Sequence, residues 1–258
     1  MRNIAPKRKA KALILAAGYA TRLYPLTLNI PKPLLKITNT RTVIDFIVDD
    51  LLHSGLTNEI IVVTNHKFYG DFCKWKKERS KDNISVLDDG TLSNDDRLGA
   101  VGDINYAVKK RTIKDDLIVV GGDNLFDRGF SKFLRFALKK SPYASLGLFD
   151  IKDKREASSF GVVSIDAENR VVSFEEKPAR PKSTCVATCM YYFPKETLSL
   201  LNKYMNDPET KKDAPGNYIR WLMQNDKVFG DVIEDGRWHD IGHFDSYKEV
   251  VIQYRNRN

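Results

Sequence analysis

A run of apolar residues passes directly into a glycine-containing loop near the start of the chain. Residues 12–17 have the composition of a buried strand, and Gly18 follows with a backbone that can adopt conformations other residues resist. Thr21 and Arg22 then supply a hydroxyl and a guanidinium, both donors suited to phosphate oxygens. We therefore expect Ala17, Gly18 and these two donors to hold a nucleoside triphosphate.

Three prolines frame the next cation of this loop. Lys32 stands between Pro31 and Pro33, and Pro25 precedes them. Because proline restricts φ, the stiffened segment can deliver the Lys32 ammonium to a ligand without a large ordering cost. We expect Lys32 to contact the same ligand as Arg22; a surface lysine between two prolines is the alternative.

The apolar pattern then alternates between strand and helix. Strand patterns cover 13–16, 59–64, 84–87 and 117–120, and helix patterns cover 42–54, 68–79 and 99–109. This alternation predicts an α/β fold with a mostly parallel, Rossmann-like sheet and helices on both faces. Ligands of such sheets bind in the crevice beyond the carboxyl ends of the strands, where we expect the functional site.

The second half of the chain has a more hairpin-like pattern. Strands are predicted at 144–149, 160–165, 171–174 and 227–232, and helices at 195–205, 217–224 and 244–254. We expect a smaller, hairpin-rich part joined to the parallel sheet. The polar segment 207–213 has the composition of a mobile loop.

Composition argues against several classes of protein. The chain has 258 residues, of which 42% are hydrophobic, and no run approaches the ~20 apolar residues that cross a bilayer. Its net charge of +8 comes from scattered Lys and Arg residues, and phosphorylated small molecules explain this surplus at least as well as nucleic acid does. The 3 cysteines lack zinc-type pairing and favour a reducing compartment, so we expect a cytoplasmic protein without nucleic-acid or membrane partners.

Three later motifs carry further chemistry. They are Gly122-Asp123-Asn124, Glu176-Lys177-Pro178 and Trp238-His-Asp240-Ile-Gly242. With the opening loop, they resemble the sugar-1-phosphate nucleotidyltransferase family, also called nucleotide-sugar pyrophosphorylases, and most of all its glucose-1-phosphate thymidylyltransferase group. The resemblance runs from about Lys11 to Tyr254, and four motifs in the family's order are far more specific than any one of them.

The resemblance implies an enzyme that joins an NTP to a sugar 1-phosphate with Mg²⁺ and releases pyrophosphate. The sugar phosphate would attack the α-phosphate in line, a reaction that depends on charge neutralisation above all. By their match to family positions, Arg22 and Lys32 are the expected catalytic cations, and Asp123 and Asp240 the expected magnesium ligands. Capping of a turn or helix is the alternative for either aspartate, and it is the role we favour for Asp245.

The same resemblance implies where the sugar phosphate binds. Gly161, Glu176, Lys177 and Thr188 match positions that contact the sugar and its phosphate. A carboxylate accepts hydrogen bonds from hydroxyl groups, and a neighbouring ammonium binds phosphate. An exposed, charged hairpin end is the alternative for Glu176 and Lys177, and a bulge for Gly161.

These expectations define the domain organisation. We predict a basic N-terminal tail over residues 1–10 and a single nucleotidyltransferase domain over 11–258. A nucleotide-binding half would cover about 11–143, and a sugar-binding half about 144–258.

The chain departs from the family's pattern at the base-binding segment and at two glycines. The glutamine that precedes the base-binding loop is absent, which leaves Asp88 as an acceptor for an exocyclic amine and Gly99 as a backbone contact to the base. Ala20 stands where the family usually has a second loop glycine, and Cys189 where a sugar-pocket glycine is common. These departures leave the base and the sugar undetermined.

Other functions fit parts of the pattern. A CTP-dependent phosphocholine-type cytidylyltransferase would share the opening loop and metal site, and a nucleotide-sugar sensor would keep the pocket without turnover. His239 and His243, four residues apart, could be drawn as a zinc site, although the intervening Gly242 argues against a helix that would align them. A homo-oligomer is compatible with the sequence.

Overall fold

The computed structural model describes residues 9–255. Most of the predicted basic tail therefore lies outside the described residues, and Ala10, its last residue, opens the first strand. No helix within the described range is long and apolar enough to cross a membrane.

One large sheet organises the described part of the chain. The strands are β1 (Ala10–Leu15), β2 (Thr57–Thr64), β3 (Ile84–Asp88), β4 (Asp116–Gly121), β5 (Asn124–Phe126), β6 (Ala144–Asp150), β7 (Gly161–Ile165), β8 (Val171–Glu176), β9 (Cys185–Phe193), β10 (Val228–Val232) and β11 (Trp238–Asp240). The main sheet follows the order β10-β6-β9-β4-β1-β2-β3, and β7 and β8 form a hairpin on β9. Only β9 runs antiparallel to its two neighbours along this path, so the sheet is mostly parallel.

Helices cover both faces of the sheet. They are α1 (Val43–His53), α2 (His66–Glu78), α3 (Ala100–Lys110), α4 (Ser131–Lys140), α5 (Lys154–Ala157), α6 (Leu198–Asn206), α7 (Pro215–Asn225) and α8 (Phe244–Tyr254). In β1, Ala12 and Ile14 point into the core under α1, α2, α4 and α8, while Leu13 points into the core under α3, α6 and α7. The mostly parallel α/β architecture predicted from the apolar pattern is confirmed.

Several elements differ from the predicted pattern. The central strand β9 and helix α4 were not predicted. In β9 the residues 190–193 are all buried, so this part of the strand lacks the alternation of a half-exposed strand. The predicted mobile loop 207–213 is held in place: its carbonyls at Lys212 and Asp213 accept from Val101 and Ala100, the first residues of α3. Capping by Asp245 is wrong, since His243 is the N-cap of α8 and pairs with Ser246.

A short two-stranded sheet carries the motif residues to the carboxyl edge of the main sheet. β5 pairs antiparallel with β11, so that Asn124 lies opposite Asp240. The Trp238 indole donates to the Asn124 side chain at 2.7 Å, and the Ile241 amide donates to the Asp123 carbonyl at 3.1 Å. This pairing brings two aspartates that are distant in sequence to one end of β4.

Candidate active site

A cavity of about 620 Å³ opens at the carboxyl ends of β1 and β4. Its lining combines the opening loop, the segment before α3 and the ends of β4 and β8: Leu15, Ala16, Gly18, Tyr19, Ala20, Thr21, Arg22, Lys32, Pro33, Asn94, Arg97, Gly122, Asp123 and Lys177. Four of these residues are cationic and one is an aspartate, which makes the cavity suitable for a polyanion.

The opening loop has a defined conformation. Ala20 adopts the left-handed region with φ 49° and ψ 40°, and a single 3₁₀ turn, Thr21–Leu23, follows it. The Thr27 hydroxyl donates to the Ala20 carbonyl at 2.7 Å, and the Asn65 side chain donates to the Ala17 carbonyl at 2.9 Å. These hydrogen bonds hold the loop in place. Thr21 and Arg22 are exposed and line the cavity, so their donors are available to a ligand.

Lys32 and Asp123 form an ion pair in the floor of the cavity. The Lys32 Nζ atom lies 2.7 Å from Asp123 Oδ2, and the side-chain amide of Asn124 donates to Asp123 Oδ1 at 2.7 Å. Burial alone would raise the pKa of Asp123, but the charge and hydrogen bond of Lys32 hold it below its usual value. Asp123 therefore remains a carboxylate that can bind a cation.

Asp240 lies within electrostatic reach of the same groups. Burial and the negative charge of Asp123 raise the pKa of Asp240 to about 6, against the opposing charges of Lys32, Arg22 and Lys177. Asp240 is not itself part of the cavity lining, although the charge of Asp123 acts on it. The two carboxylates form an oxygen donor set that fits Mg²⁺, which completes its shell with phosphate oxygens and water. Residues 9–255 contain no group of three or more His, Cys, Asp or Glu side chains arranged for a metal, which does not support the zinc alternative at His239 and His243.

At the end of β8, Lys177 lines the cavity, whereas Glu176 is not part of its lining. Lys177 has φ 45°, and its amide donates to the Phe160 carbonyl at 3.0 Å. Glu176 is half-buried, and burial raises its pKa although Lys177 opposes the shift. A Cβ on Gly161 would lie 2.5 Å from the Phe174 ring and 3.4 Å from the Glu176 carboxylate, so the glycine is required by packing beside Glu176.

Thr188 does not have a hydroxyl free for a substrate. Its side chain is 0% exposed, and its Oγ1 donates to the Gly147 carbonyl at 2.9 Å. The next residue, Cys189, has φ 52° and lies within electrostatic reach of Asp123, Asp240 and Glu176. Burial and these charges together raise the pKa of the Cys189 thiol.

The two residues expected at the base lie outside the cavity lining. The Asp88 carboxylate accepts from the Gly90 amide at 2.8 Å and lies 2.6 Å from His66 Nδ1. Gly99 has φ 76°, and a Cβ there would lie 2.5 Å from the Asp213 Cα atom, so its glycine is explained by close packing on the 207–213 segment.

Other residues of the cavity had no clear sequence signal. Tyr19, Asn94 and Arg97 line it, and Arg97 donates to the Asn94 carbonyl at 2.7 Å. Asn65 is fully buried and joins the opening loop to α2. Only Asn65 could have been found from the sequence, as a capping residue directly after the β2 strand pattern.

Comparisons with known proteins show the family of the chain. A family model described as nucleotidyl transferase matches residues 11–257. A glucose-1-phosphate adenylyltransferase of Fusobacterium nucleatum is 27% identical over 93% of this chain, and one of Thermosipho africanus is 28% identical over 94%. The matches span 65% and 61% of the relatives' own lengths, so the chain corresponds to under two thirds of these proteins.

The fold also has a close match among solved structures. A protein assigned as a glucose-1-phosphate thymidylyltransferase, from Bacillus anthracis and crystallised with sucrose, superposes with a TM-score of 0.83. The match covers 96% of each chain at 21% sequence identity, which is evidence for a shared fold.

Proposed function

This chain belongs to the nucleotidyl transferase family, and from that premise we propose that it joins a nucleoside triphosphate to a sugar 1-phosphate. The products are a nucleoside diphosphate sugar and pyrophosphate. The observation that carries the proposal is one cavity whose lining combines Arg22, Lys32 and Lys177 with Asp123, which is paired with Lys32. A reaction between two polyanions requires such a concentration of positive charge.

The residues of the cavity divide into two roles. Gly18, Thr21 and Arg22 hold the β- and γ-phosphates, and Lys32 offsets the charge that develops at the α-phosphate. A phosphate oxygen of the sugar 1-phosphate forms a bond to the α-phosphorus. The bond from this phosphorus to the bridging oxygen breaks, and pyrophosphate leaves with the electron pair.

The second substrate enters from the side of β8. Lys177 contacts the sugar phosphate from its position in the cavity lining, and Glu176 accepts hydrogen bonds from sugar hydroxyl groups. Asp123 and Asp240 would hold Mg²⁺, which supplies further charge neutralisation to the phosphates when bound. Thr188, Asp88 and Gly99 have no direct role in this proposal. The side chains of Thr188 and Asp88 already have polar partners within the protein, and Gly99 packs closely against Asp213.

The location of the activity is a further part of the proposal. Cys73, Cys185 and Cys189 are all free thiols in the described structure. Free cysteines agree with a reducing compartment, and we place the activity in the cytoplasm.

A pyrophosphate-release assay tests the proposed function. ATP, CTP, GTP, UTP and dTTP are each combined with several sugar 1-phosphates and with phosphocholine, with and without Mg²⁺. We expect release with at least one sugar 1-phosphate, and only with Mg²⁺ present. Release with CTP and phosphocholine alone would identify a cytidylyltransferase, and saturable binding of a nucleotide sugar without any release would identify a sensor.

A further inference from the structure

Two buried carboxyl groups face each other behind the nucleotide cavity. Asp103 lies in the first turn of α3 and is 6% exposed, and Asp89 directly follows β3. The two side chains are within hydrogen-bonding reach of each other. Asp103 Oδ1 and Asp89 Oδ2 are both buried and have no other hydrogen-bond partner in the described structure.

Two carboxylates cannot share such a position without a positive charge between them. Among the described residues, Asp89 accepts hydrogen bonds from Thr91, and neither Asp89 Oδ2 nor Asp103 Oδ1 has a lysine or arginine as a partner. A single proton between the two oxygens would give each of them its missing hydrogen bond and would remove one of the two buried charges.

A chain of hydrogen bonds joins this pair to the opening loop. The other oxygen of Asp89 accepts from the Thr91 amide and from the Thr91 hydroxyl, both at 2.7 Å. The Thr91 carbonyl accepts from the Tyr19 hydroxyl at 3.1 Å, and Tyr19 lines the nucleotide cavity. The Thr91 turn also begins the segment that supplies Asn94 and Arg97 to the same cavity.

We infer that one proton shared by Asp89 and Asp103 holds the Thr91 turn and Tyr19 in position, and that nucleotide affinity depends on this proton. Both aspartates are positioning residues, since they act through Thr91 and Tyr19. The inference rests on the proposed function for the identity of the ligand. It adds a pH-dependent control of nucleotide binding to that function.

The negative charges near the pair also disfavour loss of the shared proton. Burial and then the charge of Asp89 raise the pKa of Asp103 to about 8. Asp88 of β3, Tyr19 of the opening loop and Tyr106 of α3 lie within electrostatic reach of Asp89. Asp96 of the following segment lies near Tyr19, and His66 and Tyr69 of α2 lie near Asp88. The negative charge of Asp88 disfavours loss of the proton, and His66 is already paired with Asp88.

The test measures the nucleotide dissociation constant by calorimetry between about pH 6 and pH 9.5. The probe is whichever of ATP, CTP, GTP, UTP and dTTP binds most tightly to the full chain at pH 7. Above the pKa of the pair, the protonated fraction falls about tenfold per pH unit, so the wild-type dissociation constant should rise by up to that factor. Titration of the nucleotide itself cancels in the ratio of variant to wild type.

Matched variants isolate the shared proton. Asp103→Asn places a permanent donor against Asp89, and Asp89→Asn places one against Asp103 while its oxygen still accepts from Thr91. Each variant should bind as tightly as the wild type at pH 7 and should lose the alkaline weakening. Asp95→Asn, which neutralises an exposed carboxylate of the same segment, should keep the wild-type profile.

Three results would overturn the inference. They are a flat wild-type profile, Asn variants that parallel the wild type, and a loss of affinity at pH 7 when sodium and potassium are replaced by tetramethylammonium, which would identify a metal cation as the occupant. If Asp103→Asn fails to fold, ¹³C shifts of the wild-type aspartate carboxyl groups must show a titration near pH 8. If pyrophosphate is released but the dissociation constant does not change with pH, the shared-proton inference fails and the proposed function stands. If binding depends on pH but no pyrophosphate is released, the proposed function fails and the inference stands.

Discussion

Three residues at the site other than glycine have left-handed backbone conformations: Ala20, Lys177 and Cys189. Ala20 has φ 49° in the opening loop and Cys189 has φ 52° on β9. These are the two positions at which the sequence replaces a glycine of the family's pattern. The conformation that glycine usually supplies is therefore kept without glycine, at a cost of about 1–2 kcal/mol for each residue.

Replacement of Ala20 by glycine should stabilise the protein. Relief of the left-handed strain outweighs the extra chain entropy of glycine, so we expect the free energy of unfolding to rise by about 0.5–1 kcal/mol. Urea denaturation measures the change. Ala107→Gly, which removes the same methyl group from the right-handed helix α3, is the control and should destabilise; a loss of stability in Ala20→Gly would contradict the strain argument.

Lys32 should be essential for turnover and dispensable for folding. Lys32→Ala removes the cation beside Asp123 and the α-phosphate, and we expect kcat/KM for pyrophosphate release to fall by about 10²–10³. Lys132→Ala is the matched control, because Lys132 pairs with Asp235 at 3.2 Å outside the cavity. Rates near the wild type in Lys32→Ala would remove this residue from the mechanism.

Individual elements of the fold are held together by a few buried polar residues. Asn65 is one, because its Oδ1 caps α2 at Phe68 and its amide reaches the Ala17 carbonyl. Glu59 is another, because it joins β2 to Lys11 of β1 and to Arg111 at the end of α3. Such residues link the secondary-structure elements that the apolar pattern predicts separately.

Loss of Asn65 should destabilise more than loss of an exposed cap. Asn65→Ala removes a helix cap and leaves a buried carbonyl unpaired, so the free energy of unfolding should fall by about 2–3 kcal/mol. Asp153→Ala removes the exposed cap of α5, at 2.7 Å from the Arg155 amide, and should cost about 0.5–1 kcal/mol. Equal effects in thermal denaturation would show that the Ala17 contact adds nothing.

Glu59 should contribute to stability at neutral pH and lose its effect in acid. Burial would raise its pKa, but hydrogen bonds from Lys11 and Arg111 hold the pKa below the ordinary value of 4.5. The stabilisation is therefore present above the unfolded-state pKa and disappears as pH falls through the lower, folded-state pKa. Urea midpoints between about pH 6 and pH 3 should fall more in the wild type than in Glu59→Gln; parallel curves would contradict this.

At the scale of the whole molecule, the two predicted halves share one sheet. Strand β9 comes from the second half of the sequence, yet it lies between β4 of the first half and β6. The cavity also combines residues of both halves, since Lys177 of the second half joins residues of the first half in its lining. The fold therefore does not divide at residue 143.

The shared sheet predicts one cooperative unfolding transition. Removal of residues after 143 would expose the edge of β4 that pairs with β9, so we expect the fragment 11–143 to be unfolded by circular dichroism. The full chain should show coincident urea transitions by tryptophan fluorescence and circular dichroism. Two separate transitions would indicate two independent domains.

The sequence by itself determined the alternation of strands and helices, the mostly parallel sheet and the four motifs, because apolar periodicity and turn chemistry are local properties. It did not predict β9, in which residues 190–193 are all buried and give no period of two. Asp240 matched a family motif, but only the β5–β11 pairing shows that it lies beside Asp123. The Asp89–Asp103 pair and the approach of Arg97 to the opening loop also came from the tertiary structure alone, since contacts between distant segments depend on how the whole sheet folds.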